Sequence, residues 1–257
     1  QTTRHRIFAI YNDEQHQAIL SDTPGVLEPK YKLQESMLHA VEQSLQDADV
    51  FLLVFTPQEK ELNQAFILDK IHQSKKPVIL CINKIDQSNQ EEIIQAAQYW
   101  QEKVPEAKIL PVSALENFQI NTLKEMVLEV LPEHPPYFDK DNISDRSTRF
   151  FVEEFIRETA LEIYDKEIPY AIEVLVRSFK KEDQTTRIEA DIIVERDTQK
   201  GIIIGHQGKM IKRLGTDARK KIESFIEDKV FLDLHVKVDK NWRKEERKLK
   251  KYGYLRP

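Results

Sequence analysis

The chain has 257 residues, 40% hydrophobic and 32% charged, with a formal net charge of −5, a balance that builds folded cores and excludes a disordered or fibrous protein. No apolar run approaches the roughly 18 residues of a membrane-spanning helix, and the opening QTTRHRIFAIYND is neither a signal peptide nor a transit sequence, so a cytoplasmic location is expected. The single cysteine, Cys81, sits in the apolar run PVILCIN; it reads as a core thiol, which excludes a disulfide framework and leaves no disulfide-linked partner to expect.

Short strands are expected over 7–11 and 17–22, separated by the polar NDEQH, a spacing that suits an antiparallel hairpin. A helical pattern over 33–45 precedes the apolar run VFLLVF at 50–55. A helix near 62–71 leads to PVILCIN at 77–83, a helix over 90–101 to KILPVSA at 108–114, and a helix over 120–131 closes the series. Continuous apolar strands between amphipathic helices predict a mostly parallel sheet covered on both faces. The stretch LPEHPPYFDKDNISDRS, rich in proline and turn formers, reads as a connection. Beyond it a helix over 148–164 is followed by strands over 170–179 and 186–195, a glycine cluster leading into the cationic helix KMIKRLG, a helix over 216–227, a strand over 231–238 and a charged tail helix in NWRKEERKLKK. The organisation is therefore an α/β domain over 1–136, a linker over 137–147 and an α+β domain over 148–257 with a basic C-terminal helix.

Three short motifs fall at the carboxyl ends of strands of the first domain, the edge where open α/β sheets bind ligands. In Asp22-Thr23-Pro24-Gly25 the carboxylate can hold magnesium through water, and the glycine amide can meet a phosphate oxygen with no side chain in the way. In Asn83-Lys84-Ile85-Asp86 the ionised Asp86 only accepts hydrogen bonds, which suits the N1–H and exocyclic amine of guanine and not adenine. In Ser113-Ala114-Leu115 backbone amides could reach the base carbonyl.

Four of the six glycines lie in GIIIGHQGKMIKRLG, 201–215, and mark a demanding backbone site. Residues 201–257 carry 16 Lys and Arg against 8 Asp and Glu, whereas 1–136 carry 12 against 20, so a polyanion is expected at the C-terminal end. The G-x-x-G of Gly205, His206, Gln207 and Gly208 lies in an α-β-β-α-α-β order, with Lys209, Lys212 and Arg213 following it as phosphate partners. His206 has no neighbours in metal-ligand spacing and reads as a solvent-facing loop residue. Trp242, Arg243, Lys244, Arg247 and Lys248 could extend an RNA surface, with Trp242 either packing on the preceding strand or stacking on a base.

Taken in this order, DTPG, NKID and SAL resemble the G3, G4 and G5 motifs of translation-factor-class GTPases, and QTTRHRI resembles their switch I, with Thr3, or else Thr2, supplying the hydroxyl that closes on magnesium. The G-x-x-G domain resembles the second topological type of K-homology (KH) domain, whose loop clamps the backbone of single-stranded RNA. Together they resemble the Era family of ribosome-assembly GTPases over essentially the whole chain. The resemblance implies GTP or GDP with Mg2+, slow intrinsic hydrolysis, binding near the 3′ end of small-subunit ribosomal RNA during 30S maturation, and peripheral association with the inner membrane. Val26 stands where Ras-type enzymes carry the glutamine that orients water, so another water-positioning device is expected. No G-x-x-x-x-G-K-[ST] occurs in the 257 residues; in the family that loop precedes switch I, and the expectation is a truncated or omitted segment whose absence leaves the fragment inactive. The alternative is a nucleotide-dead adaptor that uses the KH domain only.

Overall fold

The structure is a computed structural model that describes residues 3–26, 28–59, 65–165 and 167–255. The chain forms two compact units, one of residues 8–28 and 38–143, the other of 1–7, 29–37 and 144–257.

In the first unit β1 (Ile7–Asn12) and β2 (Gln17–Asp22) form a two-stranded sheet. Four residues join them, with Asp13 N–H donating to the His16 carbonyl at 3.0 Å, so the pair is antiparallel. Helix α1 (Lys32–Asp47) leads to a three-stranded sheet of β3 (Phe51–Phe55), β4 (Val78–Ile82) and β5 (Lys108–Pro111), in that order and parallel throughout. The connections carry α2 (Ala65–Ser74) and α3 (Gln90–Lys103), and α4 (Ile120–Val130) follows β5. Every residue of β4 is buried. Because strand side chains alternate faces, Val78, Leu80 and Ile82 join a cluster with Phe55, Ile67, Ile71, Ala96 and Trp100, while Ile79 and Cys81 join Leu110, Val112 and the α4 side chains Leu123, Met126 and Val127. This two-faced covering explains why VILCI reads as an unbroken apolar run. Trp100 stacks on Phe55 with centroids 3.8 Å apart, and burial pushes the Cys81 thiol up to about 11, as befits a core residue.

In the second unit Ser147 caps α5 (Thr148–Ile163) by accepting the Phe150 N–H. Then follow α6 (Ile168–Ala171), β6 (Glu173–Glu182), β7 (Thr185–Val194), α7 (Asp197–Ile204), α8 (Lys209–Ile226), β8 (Lys229–Val238) and α9 (Glu246–Lys251). The sheet order is β6-β7-β8, with β6 antiparallel and β8 parallel to β7. Val152, Ile156 and Ala160 of α5 and Leu214, Ala218 and Ile222 of α8 close one face of it over Val176, Ile188, Ala190, Ile192 and Val236.

Three boundaries differ from the sequence reading. The strand expected from residue 170 starts at Glu173, because Pro169 sits in the first turn of α6, where its fixed φ suits a helix. The two helices expected, KMIKRLG and 216–227, are one continuous helix, Lys209–Ile226, that runs through Gly215. A Cβ at that point would make only an ordinary contact, 3.5 Å from Leu234 Cδ1, so the helix continues through the glycine without strain. In the tail only Glu246–Lys251 is helical.

Candidate functional site

Two of the nucleotide motifs, NKID and SAL, meet at the carboxyl end of the parallel sheet, whereas DTPG follows β2 in the separate β1–β2 sheet and not a strand of the parallel one. After β4, Asn83 N–H still donates to the Phe55 carbonyl at 2.7 Å. Lys84 then takes a left-handed conformation at φ 61°, an uncommon choice for a non-glycine residue, and turns the chain into a 3-10 turn over Ile85–Gln87 that presents Asp86 at the surface. After β5, Val112 N–H bonds the Ile82 carbonyl at 2.8 Å and delivers Ser113, only 1% exposed, beside that turn.

Side chains join the two loops. Ser113 Oγ donates to Asp86 Oδ1 at 2.5 Å and accepts the Glu116 N–H at 3.2 Å. Asn83 Oδ1 accepts both its neighbour's N–H, Lys84, at 2.8 Å and that of Ala114 at 3.1 Å. Asp86 thus keeps Oδ2 at the surface for an incoming donor. The Ser113 and Ala114 amides are used within the loop, the former on the Phe118 carbonyl at 3.3 Å and the latter on Asn83 Oδ1, whereas Leu115 has an amide that is not engaged there. Its side chain is 79% exposed.

Asp22 ends β2 and is exposed, Thr23 is half-buried, Pro24 is buried and Gly25 is exposed. A Cβ placed on Gly25 would meet nothing within 4 Å, so the backbone there is open to a large ligand. Val26 packs on the first unit's core. Among the described residues no three His, Cys, Asp or Glu side chains gather as a metal cage. A metal here would therefore rest on Asp22 together with phosphate and water, a donor set that fits Mg2+. Thr3 is half-buried and belongs to the second unit; Thr2 lies outside the described residues.

The second constellation is the turn between α7 and α8. Gly205 has φ 71° and ψ 176°, a region essentially reserved for glycine, and a Cβ there would lie 2.5 Å from Met210 Cγ. Gln207 and Gly208 are left-handed at φ 51° and 74°. The 18-residue α8 starts after Gly208 with no side-chain cap; Lys209 N–H bonds the His206 carbonyl, and the uncapped helix start is an end suited to an anion. His206, Gln207, Lys209, Lys212 and Arg213 are all exposed around it, Arg213 lying 3.8 Å from Asp217.

The tail separates into two groups. Trp242 is fully buried and donates Nε1–H to the Ala171 carbonyl at 3.1 Å, so it packs and does not stack on a base. Arg243 pairs with Glu195, and Lys248 pairs with Asp239 at 2.9 Å and Glu245 at 3.1 Å; Lys244 and Arg247 remain exposed. Sequence reasoning missed Arg4, whose partners Glu173 and Tyr254 are distant in sequence and leave no local signal.

Comparison with known proteins gives these constellations a common frame. A family model described as a 50S ribosome-binding GTPase matches residues 1–84, and one described as a KH domain matches residues 167–243. The protein named GTPase Era from Clostridium kluyveri is 40% identical over 256 residues, covering 99% of this chain and 87% of its own length. The chain belongs to the Era GTPase family. The Era of Clostridium botulinum is 37% identical over the same span. A crystal structure of Era with MgGDPNP and nucleotides 1506–1542 of 16S ribosomal RNA matches with a TM-score of 0.93 at 34% identity, over 99% of this chain and 87% of that one. An Aquifex aeolicus Era variant bound to GDP and AlF4− gives the same score and identity, over 99% and 88%. The nucleotide-dead adaptor is not the reading these relatives favour. No helix among the described residues is long and apolar enough to cross a membrane.

Proposed function

We propose that the protein is a GTP-hydrolysing switch that binds the 3′ region of small-subunit ribosomal RNA and assists 30S assembly. The observation that carries the reading is the Ser113–Asp86 hydrogen bond. It orients an acceptor-only carboxylate at the surface, next to an unused loop amide, and that pairing matches the donors and carbonyl of guanine. Asn83, Lys84, Asp86 and the Ser113–Leu115 loop are assigned to the base, and Thr23, Pro24 and Gly25 to the phosphates. Asp22, through water, and the Thr3 hydroxyl are assigned to Mg2+, which when bound would neutralise charge developing on the transferred phosphoryl group. Gly205–Gly208 take the RNA backbone, with Lys209, Lys212 and Arg213 on its phosphates. A GTP state that favours RNA must bind one conformation of the protein better than another. The relatives' solved complexes with MgGDPNP and 16S ribosomal RNA, and with GDP and AlF4−, support these ligands.

The test is titration of the full-length protein with fluorescent GDP and GTP in magnesium, with ATP as the control, alongside a 3′ fragment of 16S ribosomal RNA. Saturable binding of guanine nucleotides and of the RNA, with no ATP competition, is expected. RNA binding with no guanine nucleotide binding would overturn the switch and leave an adaptor.

A further inference from the structure

Arg4 lies in the QTTRHRI segment, next in sequence to Thr3, and its side chain is 0% exposed. Its Nη1 donates to the Ile172 carbonyl at 2.7 Å and to Glu173 Oε2 at 3.2 Å, and its Nη2 donates to the Tyr170 carbonyl at 3.0 Å. The guanidinium sits 5.9 Å from the Trp242 ring centre. The Tyr254 hydroxyl donates to the same Glu173 oxygen, and His5 stacks on the Tyr254 ring at 4.4 Å. Residues 4 and 5 therefore fill a socket made by the α6–β6 junction and by the tail around 242–254.

A second segment docks on that tail. Leu33 N–H donates to the Arg243 carbonyl at 3.0 Å, Ser36 Oγ donates to the Tyr254 carbonyl at 2.6 Å, and the Arg243 guanidinium lies 5.0 Å from the Tyr31 ring centre. Residues 29–37 follow the DTPG motif in sequence, as Arg4 follows Thr3. The tail thus grips the continuations of both segments assigned to metal and phosphate, inside the unit that carries the G-x-x-G turn.

Resting on the proposed function, we infer that Arg4, seated on Glu173 and Tyr254, is the latch through which nucleotide state sets RNA affinity. Removing the guanidinium would strand a buried carboxylate, which is strongly unfavourable. A nucleotide that moves Thr3 must therefore either keep Arg4 seated or release the whole socket, and such a two-arrangement element is what coupling between distant sites requires. Arg4 acts here as a positioning residue: it contacts neither nucleotide nor RNA in this assignment.

The experiment measures affinity for the 16S 3′ fragment with saturating GDP and with a non-hydrolysable GTP analogue, in wild type, Arg4→Gln and Tyr254→Phe. Tyr254→Phe keeps the ring stack and removes only the hydroxyl, so it is the smaller perturbation of the two, and thermal melts of both variants check that each is folded. The wild type is expected to show at least about a 5-fold difference between nucleotides, in the usual range of allosteric coupling. The difference should fall below about 2-fold in the variants, while GTP and GDP affinities measured without RNA stay within about 2-fold of wild type. Variants that keep the wild-type ratio overturn the latch and leave the switch reading intact. A wild type with no nucleotide dependence overturns both, and that result is visible before any variant is made.

Discussion

Ser113 donates its hydroxyl to Asp86 Oδ1 at 2.5 Å across two loops 27 residues apart in sequence. A hydrogen bond to a charged group contributes about 1.5–3 kcal/mol, and this one also removes the rotational freedom of an otherwise exposed carboxylate. Ser113→Ala is expected to weaken guanine nucleotide binding by roughly tenfold, equivalent to about 1.4 kcal/mol, without changing RNA affinity. Titration with fluorescent GDP decides it; equal affinities would mean that the carboxylate needs no orientation.

Asp86→Asn exchanges one acceptor oxygen for a donor. Guanine then faces a donor where its own donor lies, and affinity for GDP should fall by at least about 100-fold, the scale of a mispaired buried polar contact. Xanthine carries a carbonyl in place of the exocyclic amine, so xanthosine diphosphate should bind this variant better than GDP does. A variant that still prefers GDP would remove Asp86 from the base site.

The two glycines of the G-x-x-G turn, proposed to take RNA, predict different failures. Gly205→Ala forces a Cβ to 2.5 Å from Met210 Cγ at φ 71°, and should cost about 2–4 kcal/mol of stability. Gly208→Ala has room, its nearest neighbour being 4.0 Å away, and costs only the left-handed strain of about 1 kcal/mol. It should fold and test the clamp alone. Acidic replacement of His206 and Gln207 should weaken RNA at least tenfold and leave GDP binding unchanged; thermal melts and RNA titrations separate these cases.

Burial pushes the Glu153 carboxyl up to about 7 from 4.5, against the pull of the Val176 N–H that it accepts at 2.8 Å. Between those values the folded state holds a proton that the unfolded state has released, so stability falls as pH rises through this window. Glu153→Gln keeps an acceptor for Val176 and removes the charge. It should raise stability at pH 8 by roughly 1–3 kcal/mol and have little effect at pH 4.5, as read by urea denaturation at the two pH values.

His5 behaves in the opposite sense. Burial drives its imidazole down to about 4 from 6.5, with further cationic repulsion from Arg146, Arg157 and Arg4, against the pull of Glu154. The unfolded state then binds the extra proton between pH 6.5 and 4, so the second unit loses stability as pH falls through that interval. His5→Phe preserves the stack on Tyr254 and should flatten that part of the stability profile; an unchanged profile would place the titration elsewhere.

Much of the architecture was written in local pattern. The unbroken apolar run 78–82 could only be a strand covered on both sides, and the α-β-β-α-α-β order of the second unit followed from the alternation of periods. The motifs DTPG, NKID, SAL and GHQG were legible as candidate site residues because each asks for a residue type at a fixed offset from an element's end. Boundaries moved where pattern alone misreads a single residue: Pro169 begins a helical turn, and Gly215 lies inside a continuous helix and does not end one.

What the sequence by itself determined is the inventory: two folded units, a carboxylate suited to guanine, and a glycine turn suited to a phosphate backbone. What only the tertiary structure decided is which atoms are already engaged. Asn83 and Ala114 bind each other, Trp242 is a core residue, and Arg4 reaches a carboxylate 169 residues away. Local composition fixes what a side chain can do, because donors, acceptors and φ preferences belong to the residue. Only the packed chain fixes with whom, because a buried polar group must find its partner wherever the fold brings one.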